Sequence, residues 1–185
     1  VYMLPNNRVD KFYITFNTPY GSVSTTFRGE KEKKWLTVPD GSAHFLEHQM
    51  FYDEFGDSVW DQFSKLGSRI NAGTNYDYTS YEVVGNESFK ENVDLLLNYV
   101  QAPYFSEENC AKEKGIILEE IKMGKDQPSR VMYYSISKCL FNNLNYRQAI
   151  IGDSVSVNKT TIKDLQTIYD YYYHPAKMFM IITGN

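Results

Sequence analysis

The sequence predicts a single domain in which β-strands and α-helices share one core. Residues 11–18 are rich in β-branched and aromatic side chains, as is typical of a strand. Residues 86–101 place apolar side chains at intervals of three and four, which indicates an amphipathic helix. The chain has 185 residues, which is enough for one well-buried core but too few to make two comfortably.

The first segments of the chain predict strands that lead into a helix. Residues 1–4 and 11–18 flank a group of turn-forming residues, so they are predicted to form a hairpin or a meander. Residues 22–28 alternate small polar and apolar side chains and predict a further strand. Asp40 is the predicted N-cap of the helix that carries residues 44–48.

A second helix and a hairpin are predicted to follow. The helix covers residues 58–66 and is opened by Asp57 or Ser58. Residues 68–74 and 78–85 then alternate around turn-forming side chains, which predicts a β-hairpin.

The rest of the chain predicts helices and a closing strand. Ser106 is the predicted N-cap of one helix, and Pro128 is predicted to open another. Residues 152–157 carry turn-forming side chains and are predicted to be a loop. The helices are predicted at residues 86–101, 107–125, 128–141 and from Thr160 or Thr161 onward, and the strand at residues 178–183.

The overall charge and hydropathy exclude some classes of partner. Charged residues make up 23% of the chain and the net charge is −4, which leaves no basic excess to neutralise a phosphate backbone. The longest strongly apolar run, residues 178–183, is far too short to span a bilayer. We therefore expect neither a nucleic acid nor a membrane as the partner.

The cysteines and the first residue bear on the compartment. Cys110 and Cys139 are far apart in the sequence, so they predict neither a disulfide framework nor a cysteine-based zinc site. This favours a reducing compartment, and we expect the cytoplasm. The chain begins at Val1 without a signal-like segment, so we expect the native N-terminus to have been removed together with any targeting segment.

The most informative stretch is His44-Phe-Leu-Glu47-His48. On a helix, His48 projects about 40° from His44 and Glu47 about 60° to the other side, so all three share one face. Imidazole is the commonest protein ligand for metals, and a neighbouring carboxylate can take a proton from a bound water. The order His-x-x-Glu-His is the inverzincin signature, which predicts hydrolytic zinc chemistry. The alternative is a helix surface with a weak ion pair.

A second group of acids lies on the helix predicted at residues 107–125. Glu113 and Glu120 are seven residues apart, so they return to within about 20° of each other and share a face with Ile116 and Ile117. Buried carboxylates need a partner, which makes Glu120 a candidate third ligand and Glu113 a support for it or for a histidine. Glu119 points about 120° away and is predicted to face solvent. The alternative is that the acids pair with lysines.

The third histidine, His174, precedes a proline at a predicted helix end. A surface or capping role is favoured there over a metal role. We therefore leave His174 out of the predicted metal site.

The chain resembles the first half of the pitrilysin/insulinase-type zinc peptidases over nearly its whole sequence, and four segments carry the resemblance. Residues 38–51 and 113–123 are most similar to a bacterial subgroup of that family associated with elongation factor P modification. The four matching segments are Gly41-Ser-Ala-His-Phe-Leu-Glu-His48, residues 67–81, Glu113-Lys-Gly-Ile-Ile-Leu-Glu-Glu120, and Tyr173-His-Pro175 with the strand that follows.

The resemblance implies a fold and a site. The fold is α+β, a mostly antiparallel sheet with helices packed on one face, as in insulinase and mitochondrial-processing-peptidase domains. His44, His48 and Glu120 correspond to the ligands of one zinc ion, and Glu47 to the catalytic general base. Glu113 corresponds to a supporting acid. The implied reaction is hydrolysis of a peptide bond by metal-activated water.

Asn71 and Ala72 match the family segment that receives the substrate as an added strand, which suits extended peptides. Gly73 stands where many relatives carry a larger residue, which leaves the side-chain preference at that subsite open. The alternative role for Asn71 is that of an ordinary turn or edge residue.

Family members carry a second related domain that contributes to holding the substrate. We therefore expect residues 1–185 to be the N-terminal zinc-peptidase domain of a longer chain, with weak or no hydrolysis alone. The expected partners are the peptide substrate and the missing C-terminal domain or a homologous subunit. The competing classes are a non-catalytic subunit that binds a peptide or a partner, and a small-molecule zinc lyase.

Overall fold

The structure is a computed structural model that describes residues 1–29, 33–53, 58–142 and 144–185. It contains a five-stranded sheet, a separate two-stranded sheet and a set of helices. The strands are β1 (Tyr2–Pro5), β2 (Phe12–Thr18), β3 (Thr26–Arg28), β4 (Trp35–Thr37), β5 (Arg69–Thr74), β6 (Thr79–Gly85) and β7 (Phe179–Gly184). The helices are α1 (Ser42–Gln49), α2 (Val59–Lys65), α3 (Phe89–Gln101), α4 (Glu107–Lys125), α5 (Pro128–Leu140), α6 (Ser154–Lys159) and α7 (Ile162–Tyr172), with a short 3-10 helix at Asn145–Arg147.

The large sheet has the strand order β1-β7-β2-β6-β5. The β1–β7 pair is parallel and the other neighbouring pairs are antiparallel, so the predicted α+β fold with a mostly antiparallel sheet is confirmed. One face of the sheet is apolar because alternate residues meet across the strands, as where Ile14 lies between Val83 and Ile182. The helices pack on this apolar face.

The predicted pairing of the first two strands is wrong. β1 does not form a hairpin with β2, since it pairs in parallel with β7, and β2 lies between β7 and β6. The predicted strand at residues 22–28 shortens to β3, which pairs with β4 in the small sheet. Neighbouring segments in a sequence often pair, but here the buried strand β2 takes β7 and β6 as partners, and the exposed strand β1 adds to the outer side of β7.

The helices predicted from periodicity are present, with some changes at their ends. Ser58 is the N-cap of α2, while Asp57 lies outside the described residues. Ser106 caps α4 by accepting a hydrogen bond from the backbone N–H of Asn109. The predicted loop at residues 152–157 is wrong, because Asp153 and Ser156 form a capping box that opens α6. None of the helices in the described part of the chain is long and apolar enough to cross a bilayer.

The helix that carries the histidine motif does not start as predicted. Its N-cap is Gly41 rather than Asp40, and Gly41 has φ +83°, a left-handed conformation that favours glycine. A Cβ atom at this position would lie 2.4 Å from the carbonyl oxygen of Ile151. The chain therefore turns into α1 at a point where it also touches the segment before α6.

Gly41→Ala is expected to destabilise the protein by at least about 2 kcal/mol, because a left-handed alanine is strained and its methyl group would meet backbone atoms. Urea unfolding measures the change. Gly115→Ala is the matched control, since a Cβ there meets no atom within 4 Å and alanine favours the helix. Equal stability of Gly41→Ala and the unaltered chain would contradict the proposed steric role.

Candidate metal centre

Helix α1 holds the two motif histidines on one face. Phe45 and Leu46 are fully buried and fix the helix in the core, while the His44 and His48 side chains each remain 18% exposed. The centroids of the two imidazole rings are 4.6 Å apart. The spacing of four residues therefore brings the rings together, as the helical geometry predicts.

Helix α4 packs against α1 and supplies a carboxylate opposite the two rings. One oxygen of Glu120 lies 3.8 Å from Nε2 of His44, and the other lies 3.9 Å from Nε2 of His48. The possible ligand atoms of these three residues all lie within 4.8 Å of one another. The structure thus places His44, His48 and Glu120 in one group that could hold a metal ion.

The donor set of this group fits zinc. Two ligands that each lie about 2.0–2.2 Å from a shared zinc ion are separated by at most about 4.4 Å, and the two histidine–glutamate distances are within that limit. Two imidazoles and one carboxylate are also a ligand set that catalytic zinc sites use, with a further position left for water or substrate.

Glu113, one of the predicted acids, lies behind His48. Its Oε2 is 2.7 Å from Nδ1 of His48, and its Oε1 accepts a hydrogen bond from the hydroxyl of Tyr52. Burial alone would raise the pKa of this carboxyl, but the bonds from His48 and Tyr52 outweigh it and lower the pKa. Because the Glu113 carboxylate is hydrogen-bonded to Nδ1 of His48, the other ring nitrogen, Nε2, is directed toward Glu120.

The two histidines have opposite electrostatic environments. Burial, with smaller contributions from His48 and Arg130, lowers the pKa of His44 to about 3. This keeps the His44 ring neutral, which is the form that binds a metal. Burial also acts to lower the pKa of His48, but the hydrogen bond to Glu113 and the nearby carboxylates outweigh it and raise that pKa.

Glu47 lies beside the same group and accepts a hydrogen bond from a residue of the large sheet. Its Oε2 accepts a hydrogen bond of 2.6 Å from the hydroxyl of Thr74, the last residue of β5. Burial is the main reason that the pKa of Glu47 is raised. A carboxyl group with a raised pKa is suited to exchange protons near neutral pH.

A cleft runs from the histidine motif to the edge of the large sheet. It encloses about 470 Å³, and β5 forms one wall as the edge strand of that sheet. Asn71 and Ala72 are on this wall. The lining residues are Glu47, His48, Phe51, Tyr52, Ser58, Trp60, Asn71, Ala72, Lys112 and Glu113.

Other sequence predictions around α4 have mixed outcomes. Glu113 and Ile117 are buried as predicted, but Ile116 is 41% exposed and does not belong to the apolar face. Glu119 faces solvent as predicted and lies 3.5 Å from Lys122. His174 is also exposed, as its position before a proline at a helix end indicates.

Sequence reasoning missed two residues that hold the acids of this site, Tyr52 and Thr74. Tyr52 follows His48 by four residues, a spacing that places it near the same helical face, but α1 ends before it. Thr74 follows Ala72 by two residues, so alternation in the predicted hairpin places both on one face of β5. These spacings predict that Tyr52 and Thr74 lie near the site, although neither spacing predicts which carboxylate the hydroxyl binds.

Comparisons with known proteins identify a family and related structures. Residues 38–154 match the model of the insulinase family, peptidase family M16. The chain is 37% identical over 184 residues to the uncharacterized zinc protease YmfH of Bacillus subtilis (strain 168), covering 100% of this chain and 43% of YmfH.

Two solved structures share the fold. A crystal structure described as that of an M16-like peptidase from Alicyclobacillus acidocaldarius has a TM-score of 0.93 and 36% identity, covering 98% of this chain and 42% of that one. An M16 inactive domain from Pseudomonas fluorescens has a TM-score of 0.81 at 18% identity, covering 98% of this chain and 43% of that one. The chain thus spans less than half the length of these relatives, and the fold also occurs in a domain described as inactive.

Proposed function

Because the chain belongs to the insulinase family of peptidases (peptidase family M16), we propose that it is a zinc-dependent endopeptidase domain that acts on extended peptides. The observation that carries the proposal is the convergence of His44, His48 and Glu120 beside the carboxylate of Glu47. His44, His48 and Glu120 would hold the zinc ion. The intact motif favours an active domain over a non-catalytic one of the same fold.

Glu47 is the proposed general base. Zinc, when bound, lowers the pKa of a coordinated water and polarises the substrate carbonyl. Glu47 would accept the proton of the attacking water and deliver it to the amine that leaves. The hydroxyl of Thr74 holds the Glu47 carboxylate in place for this transfer.

Peptide binding is proposed at the edge of β5. One side of β5 pairs with β6, and no strand of the described residues pairs with its other side. An extended peptide can add to such an edge through main-chain hydrogen bonds, which supply affinity with little dependence on side chains. Asn71 and Ala72 would contact the peptide there, next to the zinc ligands.

A second domain is part of the proposal. The relatives are more than twice as long as this chain, so residues 1–185 are proposed to be the first domain of a longer protein. A related C-terminal domain or a homologous subunit would close the cleft over the peptide. The runner-up function is a peptide-binding or partner-binding subunit without catalysis, as the inactive domain with the same fold illustrates.

Two narrower predictions stay open. The assignment to the subgroup associated with elongation factor P modification stays a prediction from residues 38–51 and 113–123. The cytoplasmic location stays a prediction as well, and it rests on Cys110 and Cys139, which are both unpaired.

Removal of the metal tests the proposed chemistry. The protein expressed to its native C-terminus is expected to cleave a quenched fluorescent peptide, to lose cleavage after treatment with 1,10-phenanthroline, and to regain it when zinc is added back. Residues 1–185 alone are the comparison and should cleave far more slowly. Cleavage by the longer protein that persists without metal would contradict the zinc mechanism.

A further inference from the structure

We propose that the hydroxyl of Tyr52 is a positioning group for the metal site and that it acts on His48 through the carboxylate of Glu113. The inference rests on the proposed zinc site but not on peptide hydrolysis. It assigns a role to a residue outside the His44–His48 motif and outside the proposed set of ligands.

The contacts form a short chain of hydrogen bonds. Glu113 uses one carboxylate oxygen for Nδ1 of His48, at 2.7 Å, and the other for the hydroxyl of Tyr52. The Glu113 residue is only 5% exposed, so water cannot easily replace either partner. These two bonds join α4 to α1, through His48, and to the segment that follows α1, through Tyr52.

The second bond matters because the terminal torsion of a glutamate is soft. A carboxylate held by a single partner can turn about that torsion over a broad range. With Tyr52 on one oxygen and His48 on the other, the plane of the Glu113 carboxylate is fixed. The orientation of the His48 ring, and hence the direction of its Nε2, follows from that plane.

The surroundings of Tyr52 allow the hydroxyl to be removed without loss of the ring. The Nζ atom of Lys112 lies 5.3 Å from the centroid of the Tyr52 ring, a cation–π contact that phenylalanine also makes. Tyr52→Phe therefore deletes the hydrogen bond to Glu113 and keeps the packing of the cleft wall.

The test is zinc affinity, measured by competition with a chromophoric chelator on residues 1–185. Tyr52→Phe is expected to raise the zinc Kd about 10-fold, at the lower end of the range for loss of a partner bonded directly to a ligand, because Tyr52 acts on His48 only through Glu113. The denaturation midpoint of the metal-free chain should fall modestly, because one hydrogen bond to a buried carboxylate is lost, and the chain should stay folded. Tyr2→Phe is the matched control, because Tyr2 is 65% exposed on β1. The zinc Kd of this variant should equal that of the unaltered chain.

A double-mutant cycle separates positioning from a general effect on structure. If Tyr52 acts through Glu113, Tyr52→Phe should change the Kd less than about 2-fold when Glu113→Gln is already present. An unchanged Kd for Tyr52→Phe alone, or the same 10-fold change in both backgrounds, would overturn the inference. Absence of zinc binding by the unaltered chain would overturn the metal site together with it. If Tyr52→Phe shows the expected 10-fold rise in the zinc Kd but the longer protein fails to cleave peptides, only the peptidase function is overturned.

Discussion

Glu47→Gln is expected to reduce peptide hydrolysis by the longer protein about 10²–10⁴-fold, the contribution that a positioned general base makes. Glutamine has nearly the same shape as glutamate and can still accept the hydrogen bond from Thr74, so the local packing should persist. It cannot take up the proton of the attacking water. Initial rates on a quenched peptide, measured with saturating zinc, give the size of the loss.

Two further measurements keep this result interpretable. Zinc affinity of Glu47→Gln should stay within a few-fold of the unaltered value, because Glu47 is not among the proposed ligands. Glu119→Gln is the matched control, since it removes a carboxylate that faces solvent and should leave the rate unchanged. Equal cleavage by the unaltered protein and Glu47→Gln would show that another group is the base.

Glu120→Gln is expected to weaken zinc binding by residues 1–185 more than about 100-fold, because loss of a direct ligand should exceed the 10–100-fold cost of losing an outer-sphere partner. Glu120 is the only anionic member of the proposed ligand set. Its replacement would remove the negative charge that offsets the charge of a bound dication. Chelator competition measures the affinity, and elemental analysis of the purified chain measures the stoichiometry.

The adjacent acid again provides the control. Glu119→Gln changes the same net charge on the same helix but lies on the solvent side, where it contacts Lys122. Its zinc Kd should match that of the unaltered chain. Similar affinities for Glu120→Gln and Glu119→Gln would show that the third ligand is not Glu120.

Much of the architecture could be predicted because its signals are local. Amphipathic periodicity located α3 and α4, and alternation located the β5–β6 hairpin. The same helical geometry placed His44 beside His48 and selected Glu120 over Glu119, since those choices depend only on rotation about a helix axis.

The remainder depended on contacts that span the chain. β1 pairs with β7, and no local pattern specifies a partner almost the whole sequence away. Gly41 replaces Asp40 as the cap because of its contact with Ile151, which belongs to a distant segment. The same limit applies to Ile116, whose exposure is set by how α4 packs rather than by its place on the helical wheel.

In the candidate site, sequence reasoning singled out acids and histidines that the structure brings together, but not the hydroxyls that bind Glu47 and Glu113. Thr74 and Tyr52 come from β5 and from the segment after α1, and each contacts a carboxylate that lies far away in the sequence. Hydroxyl side chains are common on strands and in loops, so their identity alone does not indicate a role. Their role is indicated only by their hydrogen bonds to Glu47 and Glu113.

The strand order also determines where the protein can be immobilised or labelled without blocking the cleft. β1 lies at one edge of the large sheet and β5 at the opposite edge, which at about 4.8 Å per interval places them about 19 Å apart. A surface tether, a fluorophore or an affinity tag at Val1 therefore emerges on the side of the sheet away from the cleft. Immobilisation through Val1 should leave the edge of β5 open to peptides in a binding assay.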